Sequence, residues 1–226
     1  MAATTTSGNS NLNSDVLVCY AVKEEMGFEI SRHSFGGCTV LVTGMGRRNA
    51  AESIQSELAS NEYQLVLSCG FAGGLNPNLA FGIVIFDEDI EVGLKTELIQ
   101  LGAVPAKFYC ARRVAITAAE KKDLWNSTGA DAVEMESSVI RNICREKKIS
   151  SATIRVILDT AQENLPLDFN ALMTSFDRIN YLKLVWTILC KPHKVFPLWK
   201  FQHNAFVAAK NLDQVVRGIL RMRRGG

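Results

Sequence analysis

The sequence predicts an α/β domain with a central, mostly parallel mixed sheet flanked by helices and followed by a C-terminal helical segment. Three observations lead there. Apolar runs of strand length recur at 16–21, 39–43, 65–69, 83–86, 132–135 and 153–158, rich in Val, Ile and Leu and without polar alternation. Runs of that kind suit strands covered on both faces. Helical patterns lie between them at 48–60, 118–127 and 137–148, and strand and helix in alternation favour a parallel sheet. Finally, the glycines and acids gather just after the apolar runs, where ligands sit in such sheets.

The elements follow in order. The first run leads into Ala21-Val22-Lys23-Glu24-Glu25, and the second into Gly44-Met45-Gly46-Arg47 and a helix. The third ends in Ser68-Cys69-Gly70-Phe71-Ala72-Gly73-Gly74-Leu75, read as a glycine loop. Thr117, with Glu120 three residues on, forms a capping-box signature that opens the helix at 118–127. The last run ends at Asp159. Beyond a turn at 165–169, an apolar helix is expected at 181–190, stopped by Pro192. A second helix is expected at 202–222, with Ala205, Ala208, Ala209, Leu212, Val215, Val216 and Leu220 on one side. Trp186, Phe196, Leu198, Trp199, Phe201 and Phe206 make this end aromatic. Core packing of a helical cap explains them, as do a dimer face, an apolar wall for a substrate, or membrane contact by Trp199 and Phe201 with Arg221, Arg223 and Arg224.

At 226 residues and 47% hydrophobic, the chain is long enough for one well-buried domain, expected over 14–226. The net charge of +2 gives no reason to invoke nucleic acid. The six cysteines are far apart, with no CxxC or Cys/His cluster, so no metal is expected and reduced thiols are. Residues 1–13 are rich in Thr, Ser and Asn, lack the basic and apolar regions of a signal peptide, and are expected to be disordered. No stretch of about twenty apolar residues is present to span a membrane. A cytoplasmic location is the expectation.

Gly44-Met45-Gly46-Arg47-Arg48-Asn49 follows a strand and opens a helix, but Asn49 stands where a dinucleotide fingerprint has its third glycine. An NAD site is rejected. What remains is a tight turn whose N–H groups could face an anion or sugar oxygens, or an ordinary strand-to-helix connection. Glu134 and Glu136 lie two apart in Val133-Glu134-Met135-Glu136-Ser137. If extended, both acids share one face with Val133 and Met135 on the other; if helical, they are a solvated surface.

Taken together and in this order, Ala21 to Glu25, Thr43 to Arg47, Ser68 to Leu75, Val133-Glu134-Met135-Glu136-Ser137 and Arg155 to Ala161 resemble the nucleoside phosphorylase and nucleosidase superfamily. That superfamily includes the methylthioadenosine/S-adenosylhomocysteine nucleosidases and the purine nucleoside phosphorylases. The segment 117–134 looks most like the short hopanoid-associated phosphorylases, which would imply an adenosyl-lipid substrate. The resemblance implies cleavage of the N-glycosidic bond of a 5'-substituted purine nucleoside, by hydrolysis or phosphorolysis, adenine being the favoured base. It assigns Glu25 as the base that activates water, Glu136 to the ribose 2'-hydroxyl, Asp159 as the acid to purine N7, and Arg155 to a place near the nucleophile. Glu134, Met135, Gly44, Phe71, Ala72 and Gly73 are expected to border the substrate. It implies no cofactor, phosphate as co-substrate if the reaction is phosphorolysis, and a homodimer. Phosphorylases of the superfamily commonly carry an arginine and a Ser or Thr for phosphate where this chain has Ser68 and Phe71. Leu158 stands where relatives often have serine, and the matching spot near Val114 carries no aromatic to stack on a base. A nucleoside-binding module without catalysis is the competing expectation.

Overall fold

In the computed structural model, residues 15–26, 38–172, 174 and 192–223 are described. Eight strands form one sheet: β1 (Val16–Tyr20), β2 (Cys38–Val42), β3 (Leu65–Gly74), β4 (Val84–Asp87), β5 (Val104–Ala106), β6 (Phe108–Cys110), β7 (Ala132–Glu134) and β8 (Ser150–Asp159). The helices are α1 (Gly46–Ser60), α2 (Val92–Gln100), α3 (Ala118–Thr128), α4 (Ser137–Glu146), α5 (Phe169–Leu172) and α6 (Val195–Met222).

The main path runs β2-β1-β3-β8-β4-β5. β1 is parallel to β2 and β3, and β3 to β8. β4 joins β8 antiparallel, which makes the sheet mixed. Residues alternate between two apolar layers. Val16, Val18, Tyr20, Leu65, Leu67, Ile154 and Val156 pack with α2 and α6, while Leu17, Cys19 and Val66 pack with Ala50, Ile54, Ile140 and Ile143 of α1 and α4. Both faces are covered, so the strands carry no polar alternation.

The glycine segment after Cys69 is not the loop that the sequence suggested. β3 continues through it to Gly74, and its last residues pair antiparallel with β7, Gly73 opposite Val133 and Gly74 opposite Ala132. Backbone hydrogen bonding overrides the local flexibility of these glycines. β7 in turn pairs with β6, and Lys107 alone separates β6 from β5. These strands enclose a small cluster of Ala72, Ile85, Ala106, Ala132 and Ile157.

The other expected strands and helices occur within a few residues of their predicted ends, and Thr117 and Glu120 form the capping box, with Glu120 N–H donating to Thr117 Oγ1 at 3.1 Å. α2, β5 and β6 carry too little periodicity to stand out in the sequence. α6 starts seven residues earlier than expected and buries Ala208, Ala209, Leu212, Val215, Val216, Ile219 and Leu220. The expected helix at 181–190, Trp186 and the segment 1–13 lie outside the described residues.

Leu212 is fully buried where α6 meets the sheet. Leu212→Ala should lower the urea-derived unfolding free energy by about 2–5 kcal/mol through lost transfer energy and a residual cavity. A loss below about 1 kcal/mol would mean that α6 is not docked as described.

Candidate functional site

The centre of the site is a buried ion pair. Arg155 projects from the middle of β8 and is 2% exposed. Its Nη2 donates to a Glu134 carboxylate oxygen at 2.9 Å and to Ser68 Oγ at 3.2 Å, and its Nη1 donates to the carbonyls of Ser68 and Ile154. Glu134 ends β7 and also accepts from the Ser137 hydroxyl (2.7 Å), the Ser137 N–H (2.7 Å) and the Glu136 N–H (2.9 Å). Burial pushes the Glu134 carboxyl up, but Arg155 and these donors outweigh it and hold it below the ordinary value.

Glu136 is not on the strand with Glu134. β7 stops at Glu134, and Glu136 takes the position just before α4. The two acids therefore separate: Glu134 turns to Arg155, while a carboxylate oxygen of Glu136 accepts from the Gly46 N–H at 2.8 Å. Gly44 and Gly46 both have positive φ, +84° and +82°, a turn that favours glycine and aims the first N–H of α1 at this carboxylate. The anion at that helix terminus belongs to the protein, and α1 has no side-chain cap of its own. Burial and the nearby Glu134 charge push the Glu136 carboxyl up to about 7, against the opposing pull of Arg155 and the Gly46 N–H.

Glu25 lies in a single turn of 3-10 helix after β1 and is buried. One oxygen accepts from Phe71 N–H at 3.0 Å, the other from Ala21 N–H at 2.8 Å and Val22 N–H at 3.3 Å. Burial raises its pKa, and the Phe71 N–H and Arg155 charge only partly offset this. Arg155 acts on Glu25 through its charge, while its donors go to Glu134, Ser68 and the Ile154 carbonyl. Gly70 makes the arrangement possible, because a Cβ there would lie 2.7 Å from a Glu25 oxygen. Glu25, Glu136 and Arg155 together line one small cavity, with Thr43, Ser68 and Cys69. A larger cleft at the opposite end of β8, lined by Asp89, Arg141, Arg145 and Ser150, gathers none of these groups.

Asp159 ends β8 four residues beyond Arg155, and the register shift between Ala72 and Gly73 inserts an extra residue of β8 before it, so the alternation that places Arg155 does not carry on to Asp159. Gly73 pairs with it, and a Cβ on Gly73 would stand 3.5 Å from its carboxylate. Asp159 is ion-paired with Lys121, a residue that sequence reasoning passed over as part of an ordinary helix. Lys121 is fully buried, and its ammonium also donates to the carbonyls of Thr160 (2.7 Å) and Glu163 (2.9 Å). Burial raises the Asp159 pKa and Lys121 opposes that rise without reversing it. The capping box places Lys121 in the first turn of α3, the only local signal for its position.

Phe71 contributes its N–H, and Met135 is half-buried between the two acids. The methyl of Ala72 instead packs into the small apolar cluster under the site.

The sequence model of the phosphorylase superfamily matches residues 105–180, a span that contains Lys121, Glu134, Glu136, Arg155 and Asp159. The fold is that of solved nucleosidases. Futalosine hydrolase of Helicobacter pylori superposes with a TM-score of 0.63 at 16% identity, over 92% of this chain and 99% of the other. The methylthioadenosine/S-adenosylhomocysteine nucleosidase of Colwellia psychrerythraea, solved with adenine, gives 0.62 at 16% identity over 92% and 95%. That of Neisseria meningitidis, in complex with methylthio-immucillin-A, gives 0.62 at 17% identity over 92% and 99%. The sequence match over residues 105–180 and the nucleosidase fold are both consistent with the nucleoside phosphorylase/nucleosidase superfamily. Of the proposed site residues, Glu25, Gly44 and Phe71 to Gly73 fall before the matched span and are joined to it by the geometry above.

Glu136 gives a signed pH prediction. Its folded pKa is raised above that of an unfolded glutamate, so its contribution to stability is present below about 4.5 and is lost as pH rises through about 7. Glu136→Gln keeps an acceptor for Gly46 and removes the charge. It should match the parent near pH 4 and exceed it near pH 8 by about 1–3 kcal/mol in denaturant unfolding. A difference that does not grow across that window would refute the half-buried, charge-crowded placement.

Proposed function

We propose that this chain cleaves the N-glycosidic bond of a purine nucleoside, with water as the nucleophile and adenine as the preferred base. The observation that carries the reading is the cavity shared by Glu25, Glu136 and Arg155, with Asp159 at the end of the strand that carries Arg155. The match of residues 105–180 and the solved neighbours with adenine and methylthio-immucillin-A support it.

Breaking the bond between the anomeric carbon and the base nitrogen leaves a cation-like sugar, and glycosidases meet that need with paired carboxylates. Glu25 takes a proton from water as the water oxygen bonds to the anomeric carbon. Its raised pKa suits a base working near neutral pH. The free oxygen of Glu136 accepts from a ribose hydroxyl while its partner oxygen holds Gly46. Asp159 gives a proton to the departing base, so the base leaves neutral and Asp159 becomes a carboxylate that Lys121 stabilises. Arg155 fixes Glu134 and, through it, the start of α4 that carries Glu136; it is a positioning residue. Water is favoured over phosphate because two carboxylates face the cavity and its one arginine is already paired with a third. A phosphate anion would meet net negative charge there.

Incubation with methylthioadenosine, S-adenosylhomocysteine, adenosine and inosine, each with and without phosphate, tests the reading by chromatography. Free base and free sugar are expected in both buffers. Release that requires phosphate and yields a sugar 1-phosphate would replace water by phosphate, and adenine binding without any turnover would favour a binding module. Asp159→Asn should lower turnover by about 100-fold or more while adenine binding persists.

Lys121 provides a separate check. Activity requires protonated Asp159, so the rate falls on the alkaline side as Asp159 ionises. Removing the cation raises the Asp159 pKa, and Lys121→Met should move the alkaline limb of kcat/KM to higher pH. An unmoved limb in a folded variant would separate Lys121 from the proton step.

A further inference from the structure

We propose that the outer face of the first half of α6 is a docking surface for anionic membrane lipid. The inner face of α6 is committed to the core through Ala208, Leu212 and Val216. On the opposite face, Phe196, Trp199, His203 and Phe206 follow one another at intervals of three, four and three residues, the spacing of a single helical stripe. Phe196 is 71% exposed, Trp199 62% and Phe206 65%. Phe196 stacks on Trp199, and Trp199 on His203, with ring centroids 6.2 and 6.1 Å apart. Three large aromatic rings on one exposed stripe form an apolar patch, and such patches mark interaction sites.

Charge identifies the occupant. From Pro192 to Leu212 the chain has no acidic residue, whereas Lys194, Lys200 and Lys210 are basic. Lys200 and Lys210 are exposed on the same face as the aromatic stripe. Aromatic rings that enter the headgroup boundary, flanked by lysines that meet lipid phosphates, are what a helix lying in an anionic interface presents. A second copy of the chain fits less well, because a two-fold contact through this stripe would set the same lysines against each other. The stripe is half of a long docked helix, and no helix among the described residues is long and apolar enough to cross a membrane. Contact at the surface is therefore the mode proposed. Among the residues named for membrane contact from sequence, Trp199 belongs to the stripe. Phe201 does not, since it is half-buried against Phe169 with centroids 5.5 Å apart, and Arg223 is paired with Glu97.

The test is co-sedimentation of the full chain with vesicles of phosphatidylcholine alone and of phosphatidylcholine with phosphatidylglycerol. Binding is expected to the anionic vesicles, at least about tenfold weaker to the neutral ones, and to decline with added salt. The triple variant Phe196→Ser, Trp199→Ser, Phe206→Ser and the charge variant Lys200→Glu, Lys210→Glu should each lose at least about tenfold in binding. Both should keep the parent's thermal midpoint and its turnover of soluble nucleosides. Absence of pelleting with anionic vesicles, or pelleting of both variants equal to that of the parent, overturns the proposal. So does light scattering that shows a lipid-free dimer broken by the triple variant, which would make the face an interface between copies. Nucleoside turnover is read independently, so neither result decides the other.

Discussion

The pair of Arg155 and Glu134 is the constraint around which the site is built. A guanidinium in the middle of a covered strand has lost its water and must be compensated by a close carboxylate and by hydrogen bonds to its remaining donors. Glu134 provides the first, and Ser68 and the Ile154 carbonyl the second. The pair draws the end of β7 towards the centre of β8 and fixes the start of α4. Glu134 is held by donors on both sides, so it remains charged while its neighbours are pushed the other way. One arginine offsets one of three acids; Glu25 and Glu136 carry the remaining cost as raised pKa values.

Backbone geometry makes room for this crowding. The glycines of β3 that pair with Arg155 and Asp159 are Gly70 and Gly73; a side chain at Gly70 would take the space of the Glu25 carboxylate, and one at Gly73 would press on Val133 at 3.2 Å. The register shift between Ala72 and Gly73 lets β3 serve two partners, β8 on one side and β7 on the other. The turn before α1 adds a third element, because its N–H satisfies Glu136 from 90 residues away in sequence. Strand ends, a helix start and a 3-10 turn thereby converge at one end of the sheet.

Lys121 balances Asp159 much as Arg155 balances Glu134, with a difference that matters for chemistry. Arg155 is surrounded by acceptors and keeps its partner ionised. The Lys121 ammonium divides its protons among Asp159 and two carbonyls, and burial still raises the Asp159 pKa. A carboxyl held between those influences can give up a proton and be stabilised once it has done so.

The alternation of apolar runs with helical patterns was enough, in the sequence alone, to indicate the covered mixed sheet, because strands buried on both faces leave that imprint wherever they occur. The superfamily resemblance was legible too, in Glu25, the glycines, Val133 to Ser137 and Asp159. What the sequence could not decide is who touches whom. The two-residue spacing of Glu134 and Glu136 suggested a shared strand face, but β7 ends between them and sends one to Arg155 and the other to Gly46. The glycine segment read as a loop became a strand because β7 and β8 supplied its hydrogen bonds from far along the chain. Lys121 had no local mark, since a lysine on a capped helix is ordinarily solvated, and only the packing of α3 against the end of β8 buried it. Partners 20 to 90 residues apart set the charge states here, and those distances are closed by the tertiary fold.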